Sequence, residues 1–179
     1  MSLELPRTNN HVLRELSDID VELFDCGDEK LNSYFKKDAR ENEDELISKN
    51  YFLTAKTDKL PLVGISISNA GITANNDLDM VMLSSCIYRT YPAVRIGRLA
   101  THKDHRRKDL GATMIFLMQT WFTHANKTGC RFLIVDSRKE IIEFYKKNRF
   151  VELPGTKKDS DTELLYCDLM PFKNLPQTL

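Results

Sequence analysis

Several common sources of structure and chemistry are missing from this 179-residue sequence. No apolar run approaches the roughly 20 residues that a membrane-spanning helix needs; segments such as 80–83 and 132–135 are far shorter. The first ten residues, MSLELPRTNN, lack the basic-then-apolar pattern of an export signal, so a cytoplasmic protein is expected. The four cysteines, Cys26, Cys86, Cys130 and Cys167, are scattered and form no CxxC pair. That excludes a zinc ribbon or a disulfide framework and fits free thiols in a reducing compartment. Only 7 glycines are present, and they build neither a GxxxxGK(S/T) phosphate loop nor a GxGxxG dinucleotide fingerprint. Excess charge is also absent, with 26 Lys and Arg against 26 Asp and Glu, which argues against a protein that coats nucleic acid without regard to sequence. No internal repeat or low-complexity tract occurs.

The sequence does have the composition of one folded domain, 41% apolar and 29% charged, and residues 1–179 are expected to form a single unit with a real core. Its charge is unevenly placed. Residues 1–90 carry 10 basic and 16 acidic side chains, whereas residues 91–179 carry 16 basic and 10 acidic. The second half is therefore the place for a polyanionic ligand. The turn 25–28 leads into an amphipathic helix over 29–45 on which Leu31, Tyr34, Phe35 and Ala39 recur at helical spacing. Residues 11–16, 51–55 and 62–68 read as strands, the last two separated by a hairpin-like 58–61. An irregular stretch over 71–76 and a short helix over 77–89 follow. Next come a strand over 93–101, a charged loop over 102–109, and the best helix in the chain, 110–127, which Gly129 is expected to stop. Residues 132–135 are continuously apolar, as in a strand buried on both faces. A helix over 139–148 and strands over 150–153 and 163–169 close the chain. This order predicts an α/β fold with one mixed central sheet of six to seven strands and flanking helices.

Residues 95–118, RIGRLATHKDHRRKDLGATMIFLM, carry the most chemical information. A strand runs into a basic loop that opens a long helix. The first turn of a helix presents unpaired N–H groups and a partial positive charge, which suits phosphate. Gly111 would let a ligand approach the backbone, and Arg106, Arg107 and Lys108 add full charges. An exposed basic turn would look similar. A second feature shifts the balance: IIEFYKKNRF, residues 141–150, places Phe144 and Tyr145 on the helix after the next strand.

This pair of segments resembles the GNAT-type N-acetyltransferases. Their acetyl-CoA loop, Gln/Arg-x-x-Gly-x-Gly/Ala, is similar to Arg106–Gly111, and their A-x-x-F-Y-x-x-x-G-F segment is similar to residues 141–150. The likeness covers about 93–153. It implies acetyl-CoA as cofactor, its pyrophosphate on the backbone of Arg107, Lys108, Asp109, Leu110, Gly111 and Ala112. It also implies pantetheine along Leu99, Ala100 and Thr101 where the sheet opens, with Tyr145 protonating the departing thiolate. Asp109 stands where the pattern has its middle glycine, with its side chain turned to solvent or capping the helix, and Arg149 stands where the later segment has glycine. No metal is implied. His102 and His105 lack an evident third ligand, and Trp121 with Phe116 and Phe122 reads as core.

A phenol near ~10 is protonated at neutral pH and can supply a proton to a thiolate of pKa near ~8.5. The strand before the loop offers no carboxylate as a base; its polar members include Arg95 and Arg98. Asp136, at the end of the following strand, could act through water. Without a strong base, an α-amine near ~7.7–8 is a better acceptor than a lysine near ~10.4.

A narrower resemblance extends over most of the chain. FDCGDEKLNSYFKKDARENE, residues 24–43, is similar to the first-helix signature of the acetyltransferase toxins of bacterial toxin–antitoxin pairs, and YPAVRIGRLA, residues 91–100, is similar to their later strand. The likeness implies acetylation of the α-amine of charged tRNA, a ribbon-helix-helix antitoxin partner and a homodimer. Arg89, Arg95 and Arg98, with Lys36, Lys37 and Arg40, are candidate tRNA contacts. Two other readings stay open: a metabolic N-acetyltransferase of a small amine or a protein N-terminus, and a non-catalytic acetyl-CoA-binding module.

Overall fold

Alternating apolar residues from the strands, packed against one long apolar helix, determine the architecture. The computed structural model describes residues 5–73, 88–124, 128–153 and 161–175. Seven strands form one mixed sheet: β1 (His11–Glu15), β2 (Lys49–Ala55), β3 (Val63–Thr73), β4 (Thr90–Thr101), β5 (Phe132–Arg138), β6 (Val151–Glu152) and β7 (Thr162–Asp168), in the order β1-β2-β3-β4-β5-β7-β6. Every neighbouring pair is antiparallel except β4 and β5. A parallel pair needs a crossover. Here the connection is the long helix Leu110–Thr123.

The helical segment after the first turn is built in three pieces: α1 (Glu29–Ser33), a π-helical turn over Tyr34–Asp38, and α2 (Ala39–Asp44). The crossover helix is α3 (Leu110–Thr123), and α4 is Ile142–Lys147, preceded by a 3₁₀ turn over Lys139–Ile141. Asp28 caps α1 by accepting from the N–H groups of Lys30 and Leu31 at 3.0 and 3.1 Å.

Two layers cover the sheet. On one face Tyr51, Leu53, Ile65, Ile67, Val94, Ile96, Leu133 and Val135 pack against Met114, Ile115, Leu117, Met118 and Trp121 of α3. Trp121 stacks edge-on against Tyr51, which places it in the core as expected. On the other face Phe24, Phe35, Ala39, Phe52 and Ala100 form one cluster, and Ile72, Tyr91, Ala93, Phe132, Ile134 and Tyr166 another. Phe132–Val135 is buried on both sides, which explains its unbroken apolar run.

Some boundaries differ from the sequence reading. β3 continues to Thr73, so residues 71–73 are strand and not irregular loop. The short helix expected over 77–89 falls largely outside the described residues. α3 ends at Thr123, and His124 is already extended. Gly129 does adopt a left-handed φ of 64°, but it follows the helix end by several residues and is not its cap. The Thr123 hydroxyl reaches the carbonyls of Thr120 and Gln119, at 2.8 and 3.3 Å, and that of Phe172, at 3.3 Å. Such back-bonding offers the last turn partners other than a continued helix.

Candidate functional site

The site begins at an irregularity in β4. Ile96 pairs with Ile67 and Arg98 with Ser66, so Gly97 is an extra residue that forms a β-bulge. Strand side chains alternate between faces, so residues three apart normally point in opposite directions. The bulge cancels that rule. Arg95 and Arg98 emerge on the same face, opposite α3, whereas Val94 and Leu99 both pack toward α3.

The same place opens the sheet. The parallel ladder between β4 and β5 ends at Ile96 and Val135, although β4 runs on to Thr101 and β5 to Arg138. Beyond the bulge, the edge of β4 that faces β5 has no ladder partner. A cleft of about 470 Å³ occupies the gap on one side, lined by Leu99, Ala100 and Thr101, by His105, Arg106, Arg107 and Asp109 of the loop, by Leu110, Gly111 and Ala112, and by Phe144, Tyr145 and Asn148. Of the residues expected to bind acetyl-CoA, nine line this cleft and Lys108 does not.

The cleft suits an elongated ligand with an anionic group. Thr113 makes the first helical hydrogen bond of α3, to the Asp109 carbonyl at 2.9 Å, so the preceding N–H groups of Leu110, Gly111 and Ala112 lie free of the helix ladder at the cleft wall. The Asp109 side chain does not cap them. Its backbone is left-handed, with φ 53° and ψ 16°, a conformation that glycine adopts without strain and aspartate more readily than most residues, and the residue is exposed. Of the two orientations considered for it, solvent is the one observed. Arg149 is left-handed too, at φ 68°, where the later pattern has glycine. Gly111 packs closely: an added Cβ would lie 3.3 Å from the Phe144 ring, so the ring would have to shift by a few tenths of an ångström to admit one. Arg107 is exposed, but the Arg106 guanidinium donates to the Cys26 carbonyl and so is committed to the protein.

On the other side of the gap lies a second cleft, of about 420 Å³, walled by α1, the bulge and the end of β5; Asp28, Tyr34, Arg98, Asp136 and Arg138 line it. Arg98 lies 5.1 Å over the Tyr34 ring and donates to the Gly97 carbonyl at 2.7 Å. Arg95 pairs with Asp136 at 3.4 Å, both half-exposed. Arg138 and Asp28 approach to 3.9 Å. Arg89 stands just before β4, at the far end of the strand from this cleft. Lys36 turns back to the Glu22 carbonyl at 3.0 Å, whereas Lys37 and Arg40 are exposed.

Leu99, Ile141 and Tyr145 line both clefts. The Tyr145 ring is buried and packs edge-on against Phe144 and Phe150, with centroids at 5.1 and 5.4 Å. Burial pushes its phenol up to about 12. It is therefore a neutral hydroxyl at every physiological pH, held where a group arriving from one cleft meets a group arriving from the other. Sequence reading did not identify Tyr34 or Arg138 as site residues, and it cited Asp28 only as part of a turn. The available signal was the cap at Asp28 with Tyr34 on the same helix, but only the fold places both opposite Tyr145.

His102 and His105 lie with ring centroids 5.5 Å apart, and His102 accepts from the Asp104 N–H at 3.3 Å. No cluster of three or more metal-ligating side chains is present among the described residues. No helix among them is long and apolar enough to cross a membrane.

The split β4–β5 pair, the helix crossing from it and the layered mixed sheet are the GNAT-type acetyltransferase fold. Within that class, the chain has the fold of the toxins KacT and AtaT. A solved structure of a Tyr-to-Phe variant of KacT matches with a TM-score of 0.75 and 21% identity, over 94% of this chain and all of that one. AtaT complexed with acetyl-methionyl-tRNAfMet matches with a TM-score of 0.73 and 21% identity, over 88% of this chain and 94% of that one. AtaTR bound with acetyl-CoA gives 0.72 and 21%, over 93% and 98%. No protein-family model matches the chain.

Proposed function

We propose that this protein is an acetyl-CoA-dependent N-acetyltransferase that acetylates the α-amine of an aminoacyl-tRNA, acting in the cytoplasm as the toxin of a toxin–antitoxin pair. The observation that carries the reading is Tyr145 at the junction of two clefts, one fitted to an anionic thioester donor and one to an acceptor. Acetyl-CoA supplies an activated acetyl group when bound. The N–H groups of Leu110, Gly111 and Ala112 would hold its pyrophosphate, with Arg107 nearby, and the open edge of β4 at Leu99, Ala100 and Thr101 would align its pantetheine arm. Tyr145 would deliver its phenolic proton to the leaving sulfur. The acceptor amine would arrive from the cleft of Arg98 and Asp136, with Arg95 and Arg98 turned toward the RNA by the bulge and Arg89 further along the strand.

The shared fold supports this reading because AtaT has been solved with an acetylated aminoacyl-tRNA, with acetyl-CoA and with the C-terminus of the antitoxin AtaR. A ribbon-helix-helix antitoxin and a homodimer are proposed on the same likeness. The test is transfer of radiolabel from acetyl-CoA to bulk charged tRNA, with deacylated tRNA and small amines alongside. Label on charged tRNA alone supports the proposal. Label on small amines favours a metabolic enzyme, and acetyl-CoA binding without transfer favours a binding module.

A further inference from the structure

The turn before α1, Asp25–Asp28, enters the sequence reading only as the start of a helix and as part of a resemblance. In the fold it lies against the loop that leads to α3, nearly 80 positions further along the chain. The Asp25 carboxylate accepts from the Lys103 ammonium at 2.7 Å, from the Gly27 N–H at 2.8 Å and from the Asn32 amide at 2.8 Å. These partners, Lys103 first, hold its carboxyl well below the usual carboxylate range. The backbones are joined as well: the Lys103 N–H donates to the Asp25 carbonyl at 2.8 Å, and the Arg106 guanidinium donates to the Cys26 carbonyl. The Asn32 side chain closes the unit by accepting from the Cys26 N–H at 2.8 Å. Gly27 has φ 74°, and an added Cβ there would lie 3.5 Å from the Arg106 guanidinium and 3.8 Å from Lys103 Cβ. A side chain at that position would be strained by its backbone, while its Cβ would sit in ordinary contact with the loop.

We infer that the Asp25–Asp28 turn is the positioning element of the coenzyme cleft. It fixes Lys103 and Arg106, and thereby the left-handed Arg107 and Asp109 that follow, in the geometry that leaves the first N–H groups of α3 open. This rests on the proposed acetyl-CoA site. Arg107 and Asp109 are non-glycine residues in a left-handed conformation that L side chains disfavour, so the free loop would relax away from it unless held. Anchors at Lys103 and Arg106 are what hold it. None of the turn's side chains needs to touch the ligand, and the consequence is selective: the turn should matter for binding through the pyrophosphate and not for the thioester chemistry at Tyr145.

The test compares two acetyl donors, acetyl-CoA and the short thioester S-acetyl-N-acetylcysteamine, which lacks the pyrophosphate. In Asp25→Asn and Lys103→Met, the dissociation constant and KM for acetyl-CoA should rise about five-fold, while kcat and the rate with the short thioester stay at the wild-type level. The double variant should be no worse than the weaker single, because both remove the same tie. Lys103 is half-exposed, so its variant keeps the fold even where Asp25→Asn loses stability. Unchanged acetyl-CoA affinity in Lys103→Met, or an equal loss with both donors, would overturn the inference. Failure of the wild-type protein to bind acetyl-CoA at all would instead overturn the proposed coenzyme site.

Discussion

Replacing Tyr145 by phenylalanine removes a single oxygen from the junction of the two clefts. The ring's edge contacts with Phe144 and Phe150 do not involve the hydroxyl. No hydrogen bond to that hydroxyl occurs among the described residues, so its removal leaves no buried partner unsatisfied. Stability should therefore shift by no more than about 0.5 kcal/mol. The catalytic consequence is much larger. With the phenol pushed up to about 12, only about three molecules in 100,000 are ionised at pH 7.5, so nearly every enzyme carries the transferable proton. Loss of a positioned general acid lowers turnover by roughly 10²–10⁴-fold, or about 3–5 kcal/mol of barrier. Single-turnover transfer to charged tRNA measures this, with acetyl-CoA affinity and thermal unfolding as controls. A rate within tenfold of wild type would refute the acid role. A linked effect has a definite sign. The folded protein holds the phenolic proton more tightly than the unfolded chain, whose phenol lies near ~10. The associated stability is complete below pH 10 and is lost as pH rises through about 12, amounting to roughly 2–3 kcal/mol. Tyr145→Phe has no phenol to ionise, so the variant, close to the wild type in stability at neutral pH, should escape the loss that the wild type suffers across this range.

Asp109→Gly relieves a left-handed backbone and removes a carboxylate beside the open N–H groups; it should stabilise the fold by up to about 1 kcal/mol and tighten acetyl-CoA binding, which calorimetry would show. Weaker binding would mean that the carboxylate assists the ligand. Gly111→Glu puts bulk against Phe144 and a negative charge at the start of α3, and should weaken acetyl-CoA binding at least tenfold; unchanged affinity would remove the phosphate from this helix end. Arg98→Lys keeps the charge but loses the planar stack on Tyr34. KM for charged tRNA should rise several-fold with acetyl-CoA affinity unchanged, and an unaltered KM would exclude Arg98 from RNA contact. Burial raises the thiols of Cys26, of Cys130 to about 11 and of Cys167 to about 12. These three should resist alkylation at pH 8 in the folded protein, as mass spectrometry after iodoacetamide treatment would reveal.

Much of this fold was readable because its strongest elements carry long, unambiguous patterns. α3 presents an apolar residue at nearly every inward position, and 132–135 could only be a buried strand. The loop was also legible, since Arg106–Gly111 follows a recognisable pattern, and Asp109 and Arg149, which stand where this pattern and the later one have glycine, are left-handed; the left-handed Arg107 carries no such signal. Two features were not legible. A bulge is one extra residue in a strand, and the only hint of it in RIGRLA is Gly97 itself, since an isolated glycine in a strand often marks a bulge but does not fix the register; reading Arg95 and Arg98 as partners on one face depends on it. At the helix end the Thr123 hydroxyl reaches the Phe172 carbonyl, from near the other end of the chain, a tertiary contact that local signals cannot report. Gly129, the expected stop, is left-handed but lies several residues further on.

The acceptor cleft bears on which amine the enzyme would accept. Three carboxylates line it: Asp136 is paired with Arg95, Asp28 approaches Arg138, and Asp38 sits on the π-helical turn. Asp28 and Asp136 are therefore poorly placed to strip a proton from a strongly basic amine, which leaves Asp38 as the carboxylate whose removal by Asp38→Asn should be silent if no base is used. In such a site the rate follows the fraction of acceptor that arrives neutral. At pH 7.5 an α-amine near ~7.8 is about one-third neutral, whereas a lysine near ~10.4 is neutral in about one molecule per thousand. The difference is close to 300-fold, or about 3 kcal/mol, without any contact that discriminates between them. An aminoacyl ester is a still weaker base and gains further. The bulge contributes to the same selection by setting Arg95 against Asp136 and Arg98 over Tyr34 on one face of the sheet.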